Sequence, residues 1–169
     1  MTTLTEDDVF EKLNAQETLP AFISAATRIL RQAIRNFLPS LFVNNDEEIV
    51  EYAVKPLLSQ SGPLNNIDVA LRLIYALGKM DKWLYADITH FSQFNDYLKE
   101  QVNPPRFTDD ITWDFIVNVS GINQNPALFG RLKAMKFADF DVYSEARFVS
   151  MIKTTLAFSV TAILKELAI

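Results

Sequence analysis

The chain has 169 residues and a mass of 19.2 kDa, a size that buries about 70% of the surface exposed by the unfolded chain and needs no disulfide or metal to hold a core. It has no cysteine and one histidine, His90, which excludes a disulfide framework, thiolate zinc, iron–sulfur clusters, a cysteine nucleophile and a multi-histidine metal site. Lys and Arg number 16 against 21 Asp and Glu, giving a net charge of -5 and a pI near 4.9, a balance that excludes a generic nucleic-acid binder, whose affinity scales with cationic contacts.

The elements read as helices from end to end. Glu6-Asp7-Asp8 near the start is acidic where a signal peptide would be basic and then apolar, so the expected location is the cytoplasm. Thr5 caps a first helix, with Asp8 completing part of a capping box and Val9, Phe10 and Leu13 as its apolar face. A second starts at Thr18, tolerates Pro20 in its first turn, buries Phe22, Ile23, Ala26, Ile29, Leu30, Ala33 and Phe37, and ends at Pro39. A third starts near Asn45 with Ile49, Val50, Ala53, Val54, Leu57 and Leu58 as its buried side, and Pro56 is expected to kink it. Ser61-Gly62-Pro63 is the clearest turn. The fourth, Asn66 to Gly78, is apolar nearly all round and therefore expected to be central, with Gly78 as its C-cap. The fifth, Lys82 to Gln101, is rich in aromatic residues. Asn103-Pro104-Pro105 breaks the chain, Thr108 caps the next helix, and Asn123 to Pro126 breaks it again. A short helix over Leu128 to Met135 and a long one over Ser144 to Leu167 complete the pattern. The most apolar run, Leu156 to Leu164, is about half the length that crosses a bilayer. The expectation is an all-α chain, 1–169 as one compact domain of about seven or eight helices, with no membrane span and no strand alternation.

Few residues carry the marks of chemistry. The four glycines form neither a Walker A loop nor a Rossmann fingerprint, and no serine stands in a nucleophile elbow. Asp87 and His90 are three residues apart on one helix and could act as a base pair, but such a histidine more often sits at a surface or interface. Three carboxylate clusters occur: Asp46/Glu47/Glu48/Glu51, Asp109/Asp110/Asp114 and Asp139/Asp141/Glu145. The first two lie at helix N-termini, where the macrodipole accounts for them. Phe137-Ala138-Asp139-Phe140-Asp141 alternates like an EF-hand start but lacks the central glycine and terminal glutamate. Arg28, Arg31 and Arg35 share one stripe of the second helix and are the best candidates for gripping an anion or an acidic partner, against the plain reading of a solvated helix face. A helix-turn-helix pivoting at Gly78 would make Lys82 to Asp87 its recognition helix. Trp83, Tyr85 and Asp87 there suit packing and repel phosphate, so the motif is judged absent. No catalytic residue, cofactor or metal is expected.

One block resembles a known family. Glu51-Tyr52-Ala53-Val54-Lys55-Pro56-Leu57-Leu58, then Ser61-Gly62-Pro63-Leu64, then Asp68-Val69-Ala70-Leu71-Arg72-Leu73-Ile74-Tyr75-Ala76-Leu77-Gly78 is similar to the core of the mannitol operon repressor (MtlR-like) family, and the chain as a whole to a shorter member of it. It departs from the mannitol repressor proper at its N-terminus and in its last third. The resemblance implies an all-α fold, bacterial transcriptional regulation of sugar-alcohol uptake, no ordinary DNA-binding motif, and action with other proteins, a component of the sugar phosphotransferase system among them. It transfers no functional residue.

Three functions remain in view. In the first, a non-enzymatic repressor-like regulator works through protein contacts, with Trp83, Tyr85, Phe91 or Phe94 as exposed anchors and Arg28, Arg31 and Arg35 meeting an acidic partner. In the second, a homo-oligomer binds DNA directly through two basic stripes, with affinity falling steeply as salt rises. The third is an enzyme, supported by Asp87 and His90 alone.

Overall fold

A computed structural model describes residues 4–138 and 144–167. Asp139 and Asp141, in the EF-hand-like stretch, lie outside the described residues. Among the described residues all regular structure is helical: α1 (Glu6–Asn14), α2 (Leu19–Phe37), α3 (Glu47–Ile49), α4 (Lys55–Leu58), α5 (Ile67–Ala76), α6 (Lys82–Glu100), α7 (Asp110–Val117), α8 (Pro126–Phe137) and α9 (Glu145–Leu167). Short 3-10 turns follow α2 (Leu38–Leu41), precede α5 (Pro63–Asn65) and follow α7 (Ser120–Gln124).

The ends of the helices follow their capping residues. Thr5 and Asp8 form a full capping box, the Asp8 N–H donating to Thr5 Oγ1 at 3.2 Å and the Thr5 N–H to Asp8 Oδ2 at 2.8 Å. Hydrogen bonds from Thr5 to the Asp8 carboxylate hold its pKa below the usual value. Thr18 caps α2, with Pro20 in the first turn. The helix after Pro105 has Asp109, one residue beyond Thr108, at its N-cap position, and the Asp109 side chain does not cap it but turns back to accept the Arg106 N–H at 2.8 Å. Gly78, at φ 68°, closes α5 as the expected left-handed cap, with the Lys79 N–H reaching Ile74 O at 3.1 Å.

The core is built on α2, α6 and α9. Phe22, Ile23, Leu30 and Ile34 of α2, Phe91 of α6, and Leu156, Val160 and Ile163 of α9 are fully buried. By length and composition α9 could cross a membrane, yet these apolar residues face the core. The fourth helix is not central. Its inner side, Ile67, Ala70, Leu71 and Ile74, is buried, while Val69, Tyr75 and Leu77 are exposed, because α5 lies against α2 and α6 from one side only.

The third predicted helix differs most. Residues 47–58 run as α3, a π turn over Val50–Val54, and α4, so the described residues hold eight helices when this run counts as one. Its expected buried side is mostly outside the core: Ile49 is 42% exposed and Ala53 exposed, Val50 and Val54 are half-buried, and only Leu57 and Leu58 pack on the core. Tyr52, which is not on that side, is 78% exposed. Apart from Leu57 and Leu58, the segment, called the arm below, makes most of its contacts with its own flanking elements. Pro56 is accommodated by the π turn before it. The Lys55 N–H bonds to Val50 O, five residues back, and Val54 and Lys55 keep helical dihedrals. This wider turn carries the upstream carbonyls clear of the proline ring, which would otherwise clash with the carbonyl four residues before it.

Candidate functional site

The two candidate catalytic residues stand on α6 but do not pair. Asp87 is 1% exposed and faces the turn after α7. Its Oδ1 accepts the Ser120 N–H at 2.8 Å and its Oδ2 the Gly121 N–H at 2.7 Å. Both oxygens are used by backbone, so this carboxylate pins the Ser120–Gln124 turn to α6. His90 turns to α7 instead. Its Nε2 lies 3.2 Å from Phe115 O, and its ring stacks on the Phe115 ring at 4.6 Å and 22°. A carbonyl only accepts, so Nε2 carries the proton, and in the neutral imidazole Nδ1 holds the lone pair.

His90 also lines a hollow of about 420 Å³ between α5, α6 and the end of α7. Lys82, Tyr85, Thr89 and Gln93 enter it from one polar stripe of α6, Tyr75 comes from α5, and Asn118 follows α7. No Asp or Glu lines it. Tyr75 and Tyr85 stack at 4.5 Å across its rim. A second hollow of about 130 Å³ shares Tyr85, Thr89 and Gln93 and adds Arg72, Ser92, Asp68 and Asp96. Its one cation there faces two carboxylates, so the larger hollow is the better place for an anion. The α6 members of this groove recur at helical spacing and are readable from sequence. Asn118 and Tyr75 arrive from other helices, with no local signal.

The arginine stripe is split. Arg28 and Arg35 are exposed, whereas Arg31 is half-buried. Arg31 lies along α6, its Nη2 donating to Ser92 Oγ at 3.2 Å and its Nε buried without a hydrogen-bond partner. The expected aromatic anchors are mostly internal. Phe91 and Phe94 are buried, Phe94 stacking on Phe115 at 4.3 Å, and Trp83 and Tyr85 are half-buried against the core. An amphipathic helix turns its largest apolar groups inward, so aromatic richness on α6 reflects the core. In the would-be recognition segment Lys82 to Asp87, Leu84 and Asp87 are buried, Trp83 and Tyr85 half-buried, and Lys82 and Ala86 exposed. No cluster of three or more metal-ligating residues occurs among the described residues.

The sequence model of a family described as Mannitol repressor matches residues 5–168. The chain belongs to that family. Within and around it, the chain is 70% identical over 167 residues to a protein of Escherichia coli (strain K12) named Fumarase E, covering 99% of both chains. It superposes with a TM-score of 0.92 on the crystal structure of a possible transcriptional regulator, YggD, from Shigella flexneri, at 69% identity and with 99% of both chains covered. It also superposes on MtlR of the MtlR–HPr complex from Escherichia coli, at TM-score 0.76 and 26% identity, covering 97% of this chain and 98% of that one. A repressor family therefore includes a near relative that carries an enzyme's name, set beside the expectation that this family member is not an enzyme.

Proposed function

We propose that the chain catalyses reversible addition of water across the double bond of a four-carbon dicarboxylate such as fumarate, in the hollow that holds His90. The likeness at 70% identity over nearly the whole of both chains supports the reaction class. The observation that carries the site is the fixed imidazole: the Phe115 carbonyl and ring orient His90, and its Nδ1 is left to take a proton. In the dehydration direction Nδ1 accepts the proton from one carbon. The hydroxyl on the neighbouring carbon then leaves as water with a proton from the Lys82 ammonium. Negative charge gathers on the carboxylate beside the deprotonated carbon, where Thr89, Gln93 and Asn118 supply hydrogen-bond donors. No electrons are exchanged, and with no cysteine to ligate an iron–sulfur cluster the chemistry rests on acid and base.

The test follows loss of fumarate ultraviolet absorbance with the purified chain. His90→Asn keeps a donor for Phe115 O and should lower kcat by about 10²–10⁴, while Lys82→Met should also raise KM. Absence of activity in the native protein overturns the reading, and an undiminished His90→Asn variant removes His90 from the chemistry.

A second reading, favoured by the likeness to MtlR solved with HPr, is a cytoplasmic regulator of mannitol-operon type that acts through protein contacts. In it a phosphotransferase component such as HPr is a partner, and the stripe of Arg28, Arg31 and Arg35 meets an acidic surface. Calorimetric titration with Escherichia coli HPr tests it, and no binding heat at submillimolar concentration would set it aside.

A further inference from the structure

Two surfaces of the molecule are unmatched, and they complement each other. The first is the arm. Val43 at 87%, Ile49 at 42% and Tyr52 at 78% exposure place large apolar groups in water on one short segment, where a monomer seldom keeps a contiguous apolar patch. The same segment carries four exposed carboxylates, Asp46, Glu47, Glu48 and Glu51. Lys55 pairs with Glu51, and Asp46 is committed to capping α3.

The second surface is a hollow of about 430 Å³ between α1, α2 and α9, floored by apolar groups that include Leu4, Ile29, Ala33, Phe37 and Leu164. On its α2 rim Gln32 stands one helical turn from both exposed arginines, four residues after Arg28 and three before Arg35, and Asn36 directly follows Arg35. Its opposite rim holds the Lys165–Glu6 ion pair, at 2.6 Å.

We infer that the arm of one copy seats Tyr52 and Ile49 in the α1/α2/α9 hollow of a second copy, with the arm's carboxylates against Arg28 and Arg35. Opposite charges meet around an apolar centre, the arrangement that desolvates anchors within a polar rim. Arm against arm would oppose four carboxylates with four and is disfavoured. Reciprocal seating closes a twofold dimer with two such contacts, whereas one-way seating would propagate a chain of molecules. The inference is independent of the hydratase reading. It rests on the arginine stripe as the site of an acidic surface and names that surface.

A chain without cysteine makes the test clean. Tyr52→Cys and tagged Ala33→Cys, each the sole thiol of its chain, are mixed under mild oxidation, and masses are measured by sedimentation of the native protein. The expected results are a native dimer, a disulfide joining the two different variants, and a dissociation constant weakened about tenfold or more by Ile49→Asp/Tyr52→Asp. A native monomer at submillimolar concentration overturns the inference, as does linkage of Tyr52→Cys only to itself. Arg28→Glu/Arg35→Glu separates the two layers. A cross-link that forms in a dimer unweakened by this variant upholds the seating and rejects the stripe's part. Recovery of the weakened variant on mixing with Glu47→Arg/Glu48→Arg upholds both.

Discussion

Asp87 shows how a single side chain can look catalytic in sequence and be architectural in space. Its spacing from His90 suggested an acid–base pair, and helical geometry does put both on neighbouring faces of α6. The direction of each side chain was set by partners more than 20 residues away: the N–H groups of Ser120 and Gly121 for Asp87, and the carbonyl of Phe115 for His90. No local pattern announces these. Removing the carboxylate leaves two inward-facing donors without an acceptor, so Asp87→Ala should cost about 3 kcal/mol in urea unfolding. Asp87→Asn should cost nearly as much, because its amide NH2 would face one of the two N–H groups. A loss under about 1 kcal/mol for both would show that the turn is held by other contacts.

At the scale of elements, the arm depends on how its base is locked. A Cβ on Gly62 would lie 2.2 Å from Pro56 O and 2.6 Å from Leu57 O, both backbone atoms that end α4. Gly62 has an ordinary φ of -79°, so the constraint is space and not conformation. Gly62→Ala should destabilise the protein by about 1–3 kcal/mol through overpacking, with faster amide exchange confined to residues 55–66. Uniform exchange throughout the chain would instead place Gly62 in the global core. Helix existence and caps were legible because Thr5, Thr18, Asn66 and Gly78 act through groups within about one turn along the chain. Burial was less legible. Ile49 to Leu58 reads as one buried side and Ile67 to Leu77 as apolar nearly all round, but nothing in either segment says that α2, α6 and α9 already fill the centre. The π turn was hidden for a related reason, since Pro56 signals a conflict with the helix without saying how the backbone resolves it.

For the molecule as a whole, charge bears on the proposal that the protein touches DNA. With a net charge of -5 and with Arg31 engaged on Ser92, the surface offers few cations for phosphates. Titration against promoter DNA from its own genome at two salt concentrations should give only weak binding with no sequence preference. Tight, selective binding that weakens steeply with salt would locate an unrecognised reading surface, and Arg28 and Arg35 would be the first residues to reverse. The groove on α6 and the hollow under α1 lie on separate walls of the helical core, so hydration chemistry and self-association draw on different side chains.

The turn at Val50–Val54 also sets a phase. A π turn holds about one residue more than an α turn, and one residue is about 100° of rotation about the helix axis. Ile49 and the carboxylates before the turn are therefore indexed against Leu57 and Leu58 after it by that single surplus residue. Deleting one residue there would leave the arm helical, the same length within about 1.5 Å, and aimed at a different quarter of the solvent.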